Sequence, residues 1–185
     1  MRYLTSDIVF TSIGPPILNG VLVVDDSGKI VDILSDKEGL DSSSIEYFEG
    51  ALCPGFINTH CHLELSHLKD RMKEKTGLPY FISNIGKIRK SSDDEIQSSI
   101  KYADKLMFDN GIVAVGDISN TADSFAIKDE SPIYYHSFIE LFASDPSRAD
   151  EVFQNGLHLL GQCKHKASLT PHANYSASKQ LFEKI

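Results

Sequence analysis

Two kinds of periodicity divide the chain. Over roughly the first fifty residues, short runs rich in β-branched side chains alternate with turn residues: Asp7-Ile8-Val9-Phe10, then Gly20 to Asp25, then Lys29 to Leu34. Runs of this kind predict strands. Asp25-Asp26-Ser27-Gly28 falls between the second and third runs and predicts a hairpin turn, with Gly28 free to take positive φ. A polar stretch from Asp36 to Ser44 precedes a further run, Ile45-Glu46-Tyr47-Phe48. Nothing in this first part supplies a candidate site.

Beyond Pro54 the pattern changes. A short apolar strand enters the run Asn58-Thr59-His60-Cys61-His62, and a polar loop from Lys69 to Gly77 leads to helical spacing over Pro79 to Ile88. Ser92-Asp93-Asp94-Glu95 reads as a capping box, and Ile96, Ile100, Ala103 and Met107 then share one helix face until Gly111. Ile112 to Ile118 predicts a buried strand of the parallel kind. The alternation repeats, with a helix over Ala122 to Lys128, a strand over Ile133 to Phe142 and a helix opened by Pro146 that carries Arg148, Val152, Leu157 and Leu160. A strand over Ala167 to Thr170 and the start of a helix from Ser176 complete it. The expectation is a β-domain over residues 1–53 and an α/β region over residues 54–185 with about four strand-helix units. The pattern itself leaves a barrel and an open sheet equally open.

Composition narrows the class of function. A net charge of -8 argues against nucleic acid or an anionic membrane as partner, and suits small neutral or cationic substrates. No apolar run approaches the roughly 20 residues that span a bilayer, and no signal-peptide core follows Met1-Arg2-Tyr3, so a cytoplasmic location is expected. Cys53, Cys61 and Cys163 are odd in number and form no Cys-x-x-Cys, which indicates neither a disulfide framework nor a zinc ribbon.

The candidate chemistry lies in His60 and His62. In an extended strand they project to one side while Cys61 points to the other, so two imidazoles can grip one divalent ion, zinc or iron. A catalytic site needs about three protein ligands and an open position, so the pair is only a beginning. In a parallel barrel the functional groups sit at the C-terminal strand ends, which brings Asp117, Glu140 and His172 into consideration beside the pair. Asp117 and Glu140 are expected to be structural, as is His67. Glu64, as a loop carboxylate, has three readings: orienting a substrate amine, accepting a bond from a metal ligand's surroundings, or plain solvation.

The run Pro54-Gly55-Phe56-Ile57-Asn58-Thr59-His60-Cys61-His62 resembles the opening barrel strand of the amidohydrolase superfamily. Its continuation Leu63-Glu64-Leu65-Ser66 is similar to the branch of aminodeoxyfutalosine deaminase, adenosylhomocysteine-type deaminases and triazine hydrolases. The resemblance selects the N-terminal half of a TIM (β/α)8 barrel, preceded by part of a small β-sandwich. It implies His60 and His62 as metal ligands, and His172 as a substrate contact through Pro171-His172-Ala173-Asn174-Tyr175-Ser176, where Asn174 stands in place of a frequent proline. The family's further ligands and its proton-transferring glutamate belong to later strands, so catalytic groups are expected beyond Ile185. No lysine occupies Ala167 to Thr170, which argues for one metal, Zn2+ or Fe2+, rather than a lysine-bridged pair.

The implied reaction is hydrolysis of a non-peptide C-N bond by a metal-activated water, as deamination of a purine-like or triazine-like heterocycle. A ring-opening cyclic amidohydrolase and a non-enzymatic metal-binding remnant are the alternatives. A complete barrel takes about 250 residues, so the chain is expected to be catalytically incomplete alone. The unpaired strand edges of a half barrel call for cover by a second copy in a homo-oligomer or by a missing C-terminal half.

Overall fold

The computed structural model describes residues 1–71 and 73–185. They divide into two compact units, Met1–Gly55 and Phe56–Ile185.

The first unit is a five-stranded, mostly antiparallel sheet organised around β1 (Arg2–Val9). On one side β1 pairs antiparallel with β2 (Ile17–Leu18) near its end and with β3 (Val21–Val24) near its start, and β4 (Ile30–Leu34) continues from β3. On its other side β1 pairs parallel with β5 (Ile45–Leu52), from Tyr3 opposite Ile45 to Val9 opposite Leu52. The expected hairpin turn forms between β3 and β4. Asp25 Oδ1 accepts from the amides of Ser27 (2.9 Å) and Lys29 (3.0 Å), and Gly28 takes φ 86°. Val9, Val21, Val23 and Val24 fill the interior of this unit.

The second unit is a four-stranded parallel sheet in the order β6 (Phe56–Cys61), β7 (Ile112–Ser119), β8 (Tyr134–Leu141), β9 (Lys166–Pro171). Spatial order follows chain order without reversal, as in a singly wound (β/α) fold and unlike a doubly wound sheet with a switch point. The connections carry α1 (Gly77–Ile88), α2 (Asp93–Asp109), α3 (Phe125–Glu130) and α4 (Ala149–Leu160), and α5 (Lys179–Phe182) follows β9. Cys61 lies opposite Asp117, which lies opposite Ser137, which lies opposite Ala167.

Along β7 and β8 burial alternates with period two. Val115, Asp117 and Ser119, then Tyr135, Ser137, Ile139 and Leu141, turn into the buried layer beneath the helices. Two apolar clusters form there. Leu63, Ile100, Val115, Ile133 and Tyr135 meet the α2 face of Ile96, Ala103 and Met107. Phe125, Ile139, Leu141 and Leu181 meet Val152 and Leu160 of α4. Leu157 of the same helix is 40% exposed. The residue that approaches β8 is Gly156, where a Cβ would lie 2.5 Å from Leu141 Cδ2. The register that seats this glycine against the strand rotates its neighbour outward. Among the described residues no helix is long and apolar enough to cross a membrane.

Candidate active site

β6 ends at Cys61, and His62 leaves the extended conformation (φ −125°, ψ 73°) to start a 3₁₀ turn, Leu63–Leu68. The rings of His60 and His62 are neighbours, with centroids 5.3 Å apart and planes at 70°. The side chain of Asn58 shapes this end of the strand, its Oδ1 accepting from the His60 amide at 3.2 Å. Cys61 points into the apolar layer beneath α2, packed against the Leu63 cluster. Burial, with the charge of Asp117 beside it, pushes its thiol pKa up to about 12. The alternation that pairs the imidazoles is therefore the one that sends the thiol to the core.

The donor set fits a divalent ion in part. Two imidazoles stand together, and Nδ1 of His62 is buried with no hydrogen-bond partner among the described residues, a nitrogen that calls for one. Among the described residues no group of three His, Cys, Asp or Glu side chains converges on a common point.

The other candidates take distinct places. Glu64 has no solvent exposure: Oε1 accepts from the Arg89 guanidinium at 2.6 Å, and Oε2 from the amides of Asn120 (3.0 Å) and Thr121 (2.8 Å). Plain solvation is thereby excluded for this carboxylate. Both oxygens accept from protein donors. His172 follows β9, on the opposite edge of the sheet from β6 in strand order. It is exposed, with Phe142 and Tyr175 edge-on at 6.3 and 6.0 Å. Its Nδ1 lies 2.6 Å from Ser176 Oγ, whose hydroxyl reaches the Ala173 carbonyl, an arrangement that makes Nδ1 the donor and Nε2 the acceptor. Glu140 Oε2 accepts from Asn120 Nδ2 at 3.1 Å. His67 is buried in the 3₁₀ turn, its Nε2 donating to the Arg89 carbonyl at 3.2 Å.

Asp117 is structural. It is fully buried and ion-paired at 2.5 Å with the equally buried Lys128, while its Oδ1 accepts from the Leu63 amide at 2.7 Å. Lys128 also donates to Ser119 and Ser137, each at 2.9 Å. Ser137 Oγ in turn lies 2.8 Å from His165 Nε2, and His165 Nδ1 lies 2.7 Å from Asp129. The last three residues have the connectivity of a Ser-His-Asp triad. Ser137 is fully buried under an ammonium group, however, so no carbonyl carbon can approach it, and the set is a satisfied polar core.

Arg89, Asn120, Thr121 and Lys128 were not singled out by sequence reasoning. The run Ser119-Asn120-Thr121 at a strand's C-terminal end is the signal that points to two of them. Lys128 stands three residues after the buried Phe125, at helical spacing on the same face.

No protein-family model matches the chain. The curated adenosine deaminase of Helicobacter pylori is 33% identical over 144 residues, which is 74% of this chain and 34% of that protein. The crystal structure of H. pylori aminofutalosine deaminase in complex with methylthio-coformycin superposes on all of this chain and 47% of its own, with a TM-score of 0.77 and 25% identity. Atrazine chlorohydrolase from Arthrobacter aurescens, complexed with zinc, shares the fold over 100% of this chain and 49% of its own (TM-score 0.70, 17% identity). The chain thus spans about a third of the curated relative and about half of each solved structure. These likenesses support a fragment of the amidohydrolase superfamily.

Proposed function

We propose that this chain is the N-terminal half of a (β/α)8 barrel from a metal-dependent amidohydrolase that deaminates an aminated purine-like or triazine-like heterocycle. The observation that carries the reading is the adjacency of the His60 and His62 rings at the C-terminal end of β6, in a parallel sheet wound in chain order. Both histidines would hold one divalent ion, zinc or ferrous iron, which imidazole nitrogen suits equally. Such an ion supplies the Lewis acidity that makes water a competent nucleophile near neutral pH. The relatives support the substrate class: one is named for aminofutalosine deamination and binds methylthio-coformycin, and another solved structure, a guanine deaminase, holds guanine.

In this reading His172 contacts the substrate. Its Nδ1 is fixed by Ser176, leaving Nε2 as an acceptor for a ring N–H or hydroxyl, with Phe142 and Tyr175 supplying aromatic surface beside it. The chain by itself is a weak catalyst, because two imidazoles provide only part of a catalytic ligand set of about three. An open site also leaves water to compete for the ion and to weaken stabilisation of the transition state.

The test is ammonia release over a panel of amino-purines and amino-triazines, with zinc or ferrous iron at equal occupancy. The 185-residue chain is assayed beside the longest product of the same reading frame. Ammonia from the longer product with little from the chain is the expected result. A ring-opened product without ammonia would replace deamination by cyclic-amide hydrolysis, and equal turnover would mean that residues within the chain complete the site.

A further inference from the structure

Glu64 stands two residues beyond His62, and every partner of its carboxylate is a donor. Oε1 takes the Arg89 guanidinium, and Oε2 takes the Asn120 and Thr121 amides and lies 2.9 Å from the Thr121 hydroxyl. That hydroxyl is also 2.8 Å from Asp123 Oδ2, so its one proton serves one carboxylate at a time. Only a group that accepts at both oxygens satisfies this cage. An amide of the same shape would turn an NH2 group toward Arg89 or toward the two backbone N–H groups.

The donors come from separate segments. Arg89 caps α1 at its C-terminal end, and its carbonyl accepts from His67 at the far end of the same 3₁₀ turn. Asn120 and Thr121 follow β7, and the Asn120 side chain donates onward to the Glu140 carbonyl (3.3 Å) and carboxylate (3.1 Å) at the end of β8. The turn that begins after His62 is therefore fastened to the ends of the next two strands. A loop carrying a metal ligand is ordinarily the mobile part of a site; here a buried charge anchors it.

We infer that Glu64 is a positioning residue for the His60/His62 pair: it holds the turn after His62 against the loop after β7, keeping the two imidazoles in register for one ion while touching neither ion nor substrate. This rests on the reading of the pair as metal ligands. The solvent-excluded cage is what separates Glu64 from a substrate-binding carboxylate.

The experiment uses two readouts on the 185-residue chain. The first, without metal, is the nuclear Overhauser contact between the ring protons of His60 and His62, whose centroids are 5.3 Å apart. The second is affinity for Co2+, followed by its visible absorption. Glu64→Gln is expected to lose the inter-ring contact and to weaken Co2+ binding by about tenfold or more, the range seen when groups that orient metal ligands are removed. Thr121→Val, which removes only the hydroxyl, is expected to keep the backbone amide spectrum of the folded chain and to show a smaller loss in both readouts. Should Glu64→Gln fail to fold, Thr121→Val decides. A folded variant with the wild-type inter-ring contact and wild-type Co2+ affinity overturns the inference. If the wild-type chain takes up no Co2+, the metal reading fails, and the inter-ring contact alone decides whether Glu64 positions the pair.

Discussion

The Lys128 ammonium lies 2.5 Å from the Asp117 carboxylate, and neither side chain reaches solvent. The pair ties α3 to the C-terminal half of β7. Lys128 spends its three protons on Asp117, Ser119 and Ser137, so the cluster has no unpaired donor at its centre. Removing one partner leaves the other charge buried alone, a loss of about 3–5 kcal/mol. Lys128→Ala and Asp117→Ala are each expected to lower the urea midpoint by that order. The double variant Asp117→Ala with Lys128→Ala is expected to cost less than the sum of the two. Strict additivity in that cycle would show that the charges do not interact.

The cysteines should separate by reactivity. Cys53 is exposed, whereas burial raises the thiol pKa of Cys163 and, beside Asp117, pushes that of Cys61 to about 12. At pH 8 iodoacetamide is expected to label Cys53 first, with Cys61 protected until the chain unfolds. In the unfolded chain Cys61 ionises near its ordinary value, so the stability gained by keeping it neutral is complete below about pH 8.5 and is lost progressively toward pH 12. Peptide mapping that found Cys61 labelled as fast as Cys53 would contradict its placement in the layer beneath α2.

Gly116 keeps the strand beside the histidine pair in place. A Cβ there would lie 3.1 Å from the Thr59 carbonyl oxygen and 3.2 Å from Phe138 Cε2. The carbonyl belongs to the backbone just before His60 and has little room to yield. Gly116→Ala is expected to cost about 1–3 kcal/mol by overpacking, and to shift the amide resonances of Thr59 and His60. Unchanged stability and resonances would mean that Phe138 swings away freely.

Much of this architecture is legible in the sequence where the determinant is local. Ser92 does cap α2, accepting from the Glu95 amide at 3.3 Å, and Ile96, Ile100, Ala103 and Met107 do form its buried face. The adjacency of His60 and His62 follows from strand alternation. What escaped depends on contacts between distant segments. The parallel pairing of β1 with β5 joins residues about forty positions apart, and no local pattern announces it. Residue type alone does not announce the burial of Glu64 and Lys128, because a charged residue is buried only when partners elsewhere in the chain meet it. α1 shows the converse: its apolar spacing predicts a helix, which forms, yet none of its residues is buried.

The roles of the three candidate histidines can be separated by metal uptake. His60 and His62 share one end of β6, whereas His172 follows β9, and strand order puts two strands between them. His172 is committed through Nδ1 to Ser176, and its aromatic neighbours Phe142 and Tyr175 are 59% and 80% exposed, a surface suited to a planar ligand. If His172 contacts substrate, His172→Ala should leave Zn2+ affinity within about twofold of wild type. His60→Ala and His62→Ala should each weaken it by at least about tenfold, since either removes a direct ligand. Zinc that binds only the folded chain also raises its melting temperature, by RT ln(1 + [Zn2+]/Kd) in free energy, so thermal shift gives a second measure. The shift should survive in His172→Ala and vanish in the His60→Ala, His62→Ala double variant. Loss of the shift in His172→Ala would instead make that histidine a third ligand, closing the sheet enough to bring the end of β9 to the end of β6.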